Sequence, residues 1–159
     1  YDVIVTIKDS TIMTHTNDND NTAVYLNVPG TYKIINSTIT GDRQGMFVRG
    51  GTATVKNSKI STTGKFKNDK SYLTGNWESG NEIPCGALVL GNRSSNAYQY
   101  ATKCTLEGTT LQAGNGVRTL YVYANTEAGI GTTLTYDSNC NIGDIEPTTL
   151  PNNVTINKK

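Results

Sequence analysis

The chain has 159 residues, with 14 basic against 13 acidic side chains and a formal charge of +1, so nothing in it draws it toward nucleic acid or anionic lipid. Only 35% of the residues are hydrophobic, yet they are gathered into short runs, which sets the composition apart from that of a disordered polymer. The length suits one domain with a continuous core, and no run approaches the roughly 18 apolar residues of a membrane-spanning helix. No membrane insertion and no nucleic-acid partner are expected.

Residues 1–5 already read as strand, so the sequence looks like a piece of a larger protein and carries no information on targeting. The first recognisable unit is Val5-Thr6-Ile7-Lys8-Asp9-Ser10-Thr11-Ile12. Apolar residues alternate, a turn-forming residue follows, and an aliphatic residue comes five positions after the second apolar one. Alternation with period two marks a strand, and Asp, Asn or Gly at the middle suits a tight bend because these residues tolerate left-handed backbone angles. A polar loop with Asp18, Asn19 and Asp20 follows, then a short apolar strand at residues 24–28. The unit returns at residues 32–39 and 53–60, with an apolar strand at residues 46–50 between them.

Residues 62–84 read as an insertion that contains Phe66, Tyr72 and Trp77. The strand at residues 87–91 comes next, then a second insertion at 92–103 with Tyr98 and Tyr100, and a further unit at 104–111. Beyond the strand at 120–123, a fifth copy at 134–140 has an ambiguous register, and residues 152–159 read as a last covering strand. Asp9 to Asn36 spans 27 residues and Asn36 to Asn57 spans 21. These lengths fit one turn of a solenoid whose coils cannot bury their apolar faces alone and do so by stacking. The predicted architecture is an all-β, right-handed parallel β-helix of about five coils over residues 1–159. An antiparallel sandwich is the structural alternative, but it does not call for the same side-chain pattern once per two strands.

Asn36-Ser37-Thr38-Ile39 and Gly45-Met46-Phe47-Val48-Arg49-Gly50-Gly51 resemble the repeats of right-handed parallel β-helix proteins of the pectin-lyase-like and bacterial surface type. The resemblance covers most of residues 3–143 and implies a fold, with acidic polysaccharides as the substrates of the enzymes in that class. Glycoside hydrolysis needs two carboxyl groups flanking a groove, and the lyases use clustered Asp residues with calcium and a basic side chain. The outward positions of the apolar strand series are Tyr25, Phe47, Leu88 and Tyr121, then Asn27, Arg49, Leu90 and Tyr123, with no carboxylate among them. The chain is therefore expected not to be an enzyme.

That outward series is the candidate ligand-binding surface: Tyr25, Phe47, Arg49, Tyr121 and Tyr123, with Trp77 from the first insertion. Aromatic faces backed by polar groups hold sugar rings or a partner's side chains. Aligned aromatics also stabilise a sheet by cross-strand contact, or lie under a covering loop, and both readings stand at this point. No metal and no cofactor is expected. Asp18, Asn19 and Asp20 lack the spacing, glycine and terminal Glu of a calcium loop, and His15 is the single histidine, to be read as a loop residue. Cys85, Cys104 and Cys140 fit no zinc pattern. They read as buried thiols, with a Cys85–Cys104 disulfide as the alternative. Lys8, Lys33, Lys56 and Glu107, read as matching positions of the repeat, break any flat threonine array with charge. Sequons stand at Asn36, Asn92 and Asn153. The sequence thus points to a non-catalytic extracellular or cell-surface module, adhesin-like, glycan-binding or a spacer, whose partner is a glycan or a host or cell-surface protein. A fragment of a β-helix lyase or hydrolase is the alternative.

Overall fold

A computed structural model of the chain describes residues 3–17, 21–67, 84–91, 100–124, 130–146 and 148–159. Among them all regular structure is β, in the order β1 (Val3–Lys8), β2 (Thr11–Met13), β3 (Thr22–Leu26), β4 (Gly30–Ile35), β5 (Thr38–Gly41), β6 (Gln44–Val48), β7 (Gly51–Lys56), β8 (Lys59–Thr62), β9 (Gly86–Leu90), β10 (Thr102–Glu107), β11 (Thr110–Ala113), β12 (Leu120–Val122), β13 (Thr132–Tyr136), β14 (Ile145–Glu146) and β15 (Val154–Lys158). No helix among the described residues is long and apolar enough to cross a membrane.

Three sheets run the length of the molecule. The largest has the order β1-β4-β7-β10-β13-β15, the second β11-β8-β5-β2, and the third β14-β12-β9-β6-β3. Every pairing is parallel, and through the body of the stack each skips the strands of the other two sheets, so each complete coil adds one rung to each sheet. This is a parallel β-solenoid, as the repeat predicts. The tail forms β15 and covers β13.

Alternation decides what is buried. In the six-stranded sheet Val5, Tyr32, Ala53, Cys104, Leu134 and Ile156 form one inward column, and Ile7, Ile34, Val55, Leu106, Tyr136 and Lys158 form a second. Ile12, Ile39, Ile60 and Leu111 face them from the second sheet, and Met46, Leu88 and Leu120 from the third. Ile39, Ile60, Leu88 and Leu106 are completely buried, and each such side chain contributes about 1.5–3 kcal/mol. On the outer face of the six-stranded sheet, Lys8, Ile35, Lys56 and Glu107 share one column, while Lys33 stands in the rank of Thr6, Thr54, Thr105 and Thr135. Lys33 therefore interrupts a threonine rank by itself, and the other three charges lie beside it. The expectation that placed all four in one position misses this by one step of the pleat.

The bend between the first and second sheets is what repeats most faithfully. Asp9, Asn36, Asn57 and Gly108 occupy it with φ of 50°, 48°, 48° and 53°, the left-handed region that Asn, Asp and Gly tolerate. At the next position a hydroxyl ladder runs along the corner. Ser10, Ser37, Ser58 and Thr109 each donate to the carbonyl two residues earlier. Ser37 Oγ in turn accepts the amide of Ser10, Ser58 Oγ that of Ser37, Thr109 Oγ1 that of Ser58, and Cys140 Sγ that of Thr109. The ambiguous fifth copy is explained here: Cys140 lies four positions after Tyr136, whereas Thr109 lies three after Leu106, so its bend is one residue longer. Replacing Ser58 by alanine is expected to strand the buried Ser37 amide and cost about 1–3 kcal/mol, measured by urea unfolding, while Asn57→Gly leaves stability within a few tenths of a kcal/mol. At the opposite corner Gly51, with φ of 88°, lies so close to Gly30 that an added Cβ would fall 2.4 Å from its carbonyl oxygen.

Candidate functional site

The outer face of the five-stranded sheet carries most of the candidate residues. Pairing aligns Tyr25 with Phe47, Phe47 with Val89, and Val89 with Tyr121. Val89 thus takes the outward place expected for Leu88, and Leu88 and Leu90 point into the core beside Met46 and Val48. The physical reason is that residues 87–90 are apolar throughout, so alternation gives no parity there. The pairing of Gln44 with Gly86 sets it instead. Gln44 is itself fully buried and satisfied: its Oε1 accepts Thr22 Oγ1 at 2.6 Å and its Nε2 donates to the Pro84 carbonyl at 2.7 Å.

The strip is not an open platform. Phe47, Val89, Tyr121 and Tyr123 form a second apolar cluster, each at most 8% exposed. Tyr25 is the exception at 42% exposure, and its ring stacks on Phe47 with centroids 5.3 Å apart. Trp77 lies outside the described residues, as do Asp18, Asn19, Asp20, Tyr72, Tyr98 and most of both insertions. Of the candidate residues, then, five share one face, and one of these meets solvent.

Arg49 gives that corner its chemistry. Residue 49 follows β6, where its amide donates to the Leu26 carbonyl at 2.9 Å. Its side chain is 95% removed from solvent. Nη1 donates to the Tyr25 hydroxyl at 2.7 Å, and the guanidinium carbon sits 5.5 Å from the centre of the Phe47 ring. Nε has no acceptor, and among the described residues no carboxylate lies within ion-pair distance. Continuing the β3–β6 register by one step puts Asn27 next to Arg49, and the buried Asn27 Oδ1 has no donor. A cation, a donor and an acceptor are therefore left incompletely satisfied at adjacent rungs. Burying such groups is costly unless something completes them. A ligand with an anionic group and a hydroxyl has the chemistry to do so.

A second polar centre has no signature in the sequence. Asp42, in the turn between β5 and β6, has a buried carboxylate. It accepts the Thr16 amide at 2.9 Å, the Thr63 hydroxyl at 2.9 Å and His15 Nδ1 at 3.3 Å, and Lys65 Nζ stands 3.9 Å away. Burial raises its pKa, but the bonds from Thr16, Thr63 and His15 outweigh this and hold it below the usual carboxylate value. Lys65 Nζ also donates to the Thr16 carbonyl and to Asn17 Oδ1. Asp42 is thus an ionised anchor tying the loop after β2 to the segment after β8. Its lone pairs are engaged, which suits a fastening better than a general base. Asp42 was invisible because its partners come from the coils on either side of its own, and only the stacked fold brings them together.

The cysteines are all free thiols. Cys104 sits in the inward core column, and burial pushes its pKa to about 12. Cys85 is buried just before β9, where its Sγ lies within hydrogen-bond reach of the carbonyls of Arg43 and Phe66, and burial pushes it to about 11. These are inert packing groups, and the Cys85–Cys104 bridge is absent. No group of three or more metal-ligating side chains occurs among the described residues.

Compared with known proteins, the chain matches no family model, no curated protein and no solved structure.

Proposed function

We propose that the chain is a non-catalytic parallel β-helix module of an extracellular or cell-surface protein, and that it binds an acidic glycan at the corner formed by Tyr25, Asn27 and Arg49. The observation that carries this reading is the buried Arg49 guanidinium, without a carboxylate partner among the described residues, next to the unfilled acceptor of Asn27. A uronate-like carboxylate would supply the Arg49 guanidinium with a counter-charge that no described residue provides, and the exposed Tyr25 ring offers a face for the sugar. Hydrogen bonds to charged groups contribute about 1.5–3 kcal/mol each, enough for roughly 10- to 100-fold in affinity.

Calorimetric titration with an oligouronate and with its neutral counterpart tests the reading. The acidic oligomer is expected to bind at least tenfold more tightly, and Arg49→Met to erase the difference while leaving the fold intact by circular dichroism. Equal binding of the two oligomers, or of the acidic one to wild type and Arg49→Met, defeats it. Absence of binding favours a spacer role, which the burial of the Phe47, Val89, Tyr121 and Tyr123 cluster also suits.

A further inference from the structure

We propose that the end of the solenoid formed by β1 and β2 is a docking face for one further coil of parallel β-structure carrying the same strand–bend–strand repeat. Three observations point to it.

The first is where apolar surface is left open. Val5 and Ile7 are the first members of the two inward columns that Tyr32 and Ile34 continue, yet Val3 is 38% and Val5 36% exposed. Ile4 and Met13, on the outer faces of β1 and β2, add 68% and 56% exposed apolar side chains beside them. An uncovered apolar edge strand invites pairing.

The second is the contrast with the other end. The column that begins with Ile7 ends with Lys158 of β15, an ammonium at an inward position of an edge strand. Inward-pointing charge is one of the devices by which edge strands refuse partners. β1 has no counterpart: its inward residues are Val3, Val5 and Ile7.

The third observation says what the partner is. Each hydroxyl of the corner ladder accepts an amide from the coil before it, at Ser37, Ser58 and Thr109 alike. Ser10 Oγ donates to the Lys8 carbonyl and has no protein donor among the described residues. Asp9 already holds the left-handed bend, and its carboxylate receives Asn36 Nδ2 on the far side. The open rung therefore fits a chain that runs parallel, turns through an Asn-, Asp- or Gly-type bend, and presents the next amide to Ser10. A second copy fits less well. Stacked head to tail it would set Lys158 over Ile7, and turned head to head it would bring antiparallel strands that cannot continue the ladder.

The Asp9 amide donates to Ile35, so by alternation the amides of Ile4, Thr6 and Lys8 face the open edge. Joining a copy of residues 30–50 ahead of residue 1 supplies one complete coil. Hydrogen exchange by NMR is expected to slow at Ile4, Thr6 and Lys8 by at least tenfold relative to the unextended chain. The same extension with Ile34→Lys and Ile39→Lys in the added copy is expected to give no such protection. Unchanged exchange with the unmodified extension, or equal protection from the lysine-bearing one, overturns the proposal. So does an unextended chain that sediments as a dimer, protects these amides, and becomes monomeric on Val5→Lys, since the occupant is then a second copy.

Discussion

Truncating Leu106 to alanine is expected to lower the unfolding free energy by about 2–5 kcal/mol, one of the largest losses any single change in this chain would cause. Leu106 is fully buried and stands between Val55 and Tyr136 in an inward column. The rungs above and below are fixed by backbone hydrogen bonds, so the coils cannot close on the cavity. Because each coil touches only its neighbours, stability is close to a sum of nearest-neighbour contacts, and the damage falls on the junctions that β10 makes with β7 and β13. Urea titration followed by circular dichroism checks this. A shift of the midpoint at unchanged slope is the result if the stack stays cooperative. A separate early transition would show the coils of β13 and β15 parting from the rest. Removing Val89, equally buried but on the outer cluster, is expected to cost less, since it takes away fewer methylene groups.

Replacing Asp42 by alanine is expected to cost about 3 kcal/mol, because the half-buried Thr16 amide and Thr63 hydroxyl lose this acceptor together. Protonation is expected to weaken the same anchor. The folded pKa of Asp42 lies below the usual carboxylate value, and an unfolded Asp titrates near about 3.9. The stabilisation is then complete above the unfolded value and is lost as pH falls through the folded one, so it disappears below about pH 4. Wild-type protein should show a stability loss in that window that Asp42→Asn lacks. Parallel slopes for the two proteins below pH 4 would remove Asp42 as the source.

Reading these residues as sequence reaches some features and not others, for identifiable reasons. The six-stranded sheet, the bend at Asp9, Asn36, Asn57 and Gly108, and the closing strand β15 announce themselves, because alternation and a left-handed turn residue are local signals. Parity at residues 87–90 is not local: four apolar residues in a row fit either face, and the neighbouring coil chooses. The same limit applies to Lys33, whose rank is visible only once β1, β4 and β7 are paired. Phe47, Tyr121 and Tyr123 were legible as outward aromatics, but whether an outward face is open depends on what lies over it. Arg49 keeps its interest for a reason absent from the sequence: it is buried with no carboxylate among the described residues within ion-pair distance. Asp42 needs donors from residues 15, 16 and 63, separations that no motif spans.

The hydroxyl ladder also fixes how the molecule would answer a pull. Its rungs advance by 27, 21, 51 and 31 residues, and β1 and β15 lie at opposite edges of the largest sheet. Tension between the two ends loads the coils in series, so they should peel off singly rather than shear as one. At roughly 3.4 Å per extended residue, the short coil releases about 70 Å of slack and the one with both insertions about 170 Å. A protein drawn out this way would give unequal steps, with the longest reserve of length stored between Ser58 and Thr109.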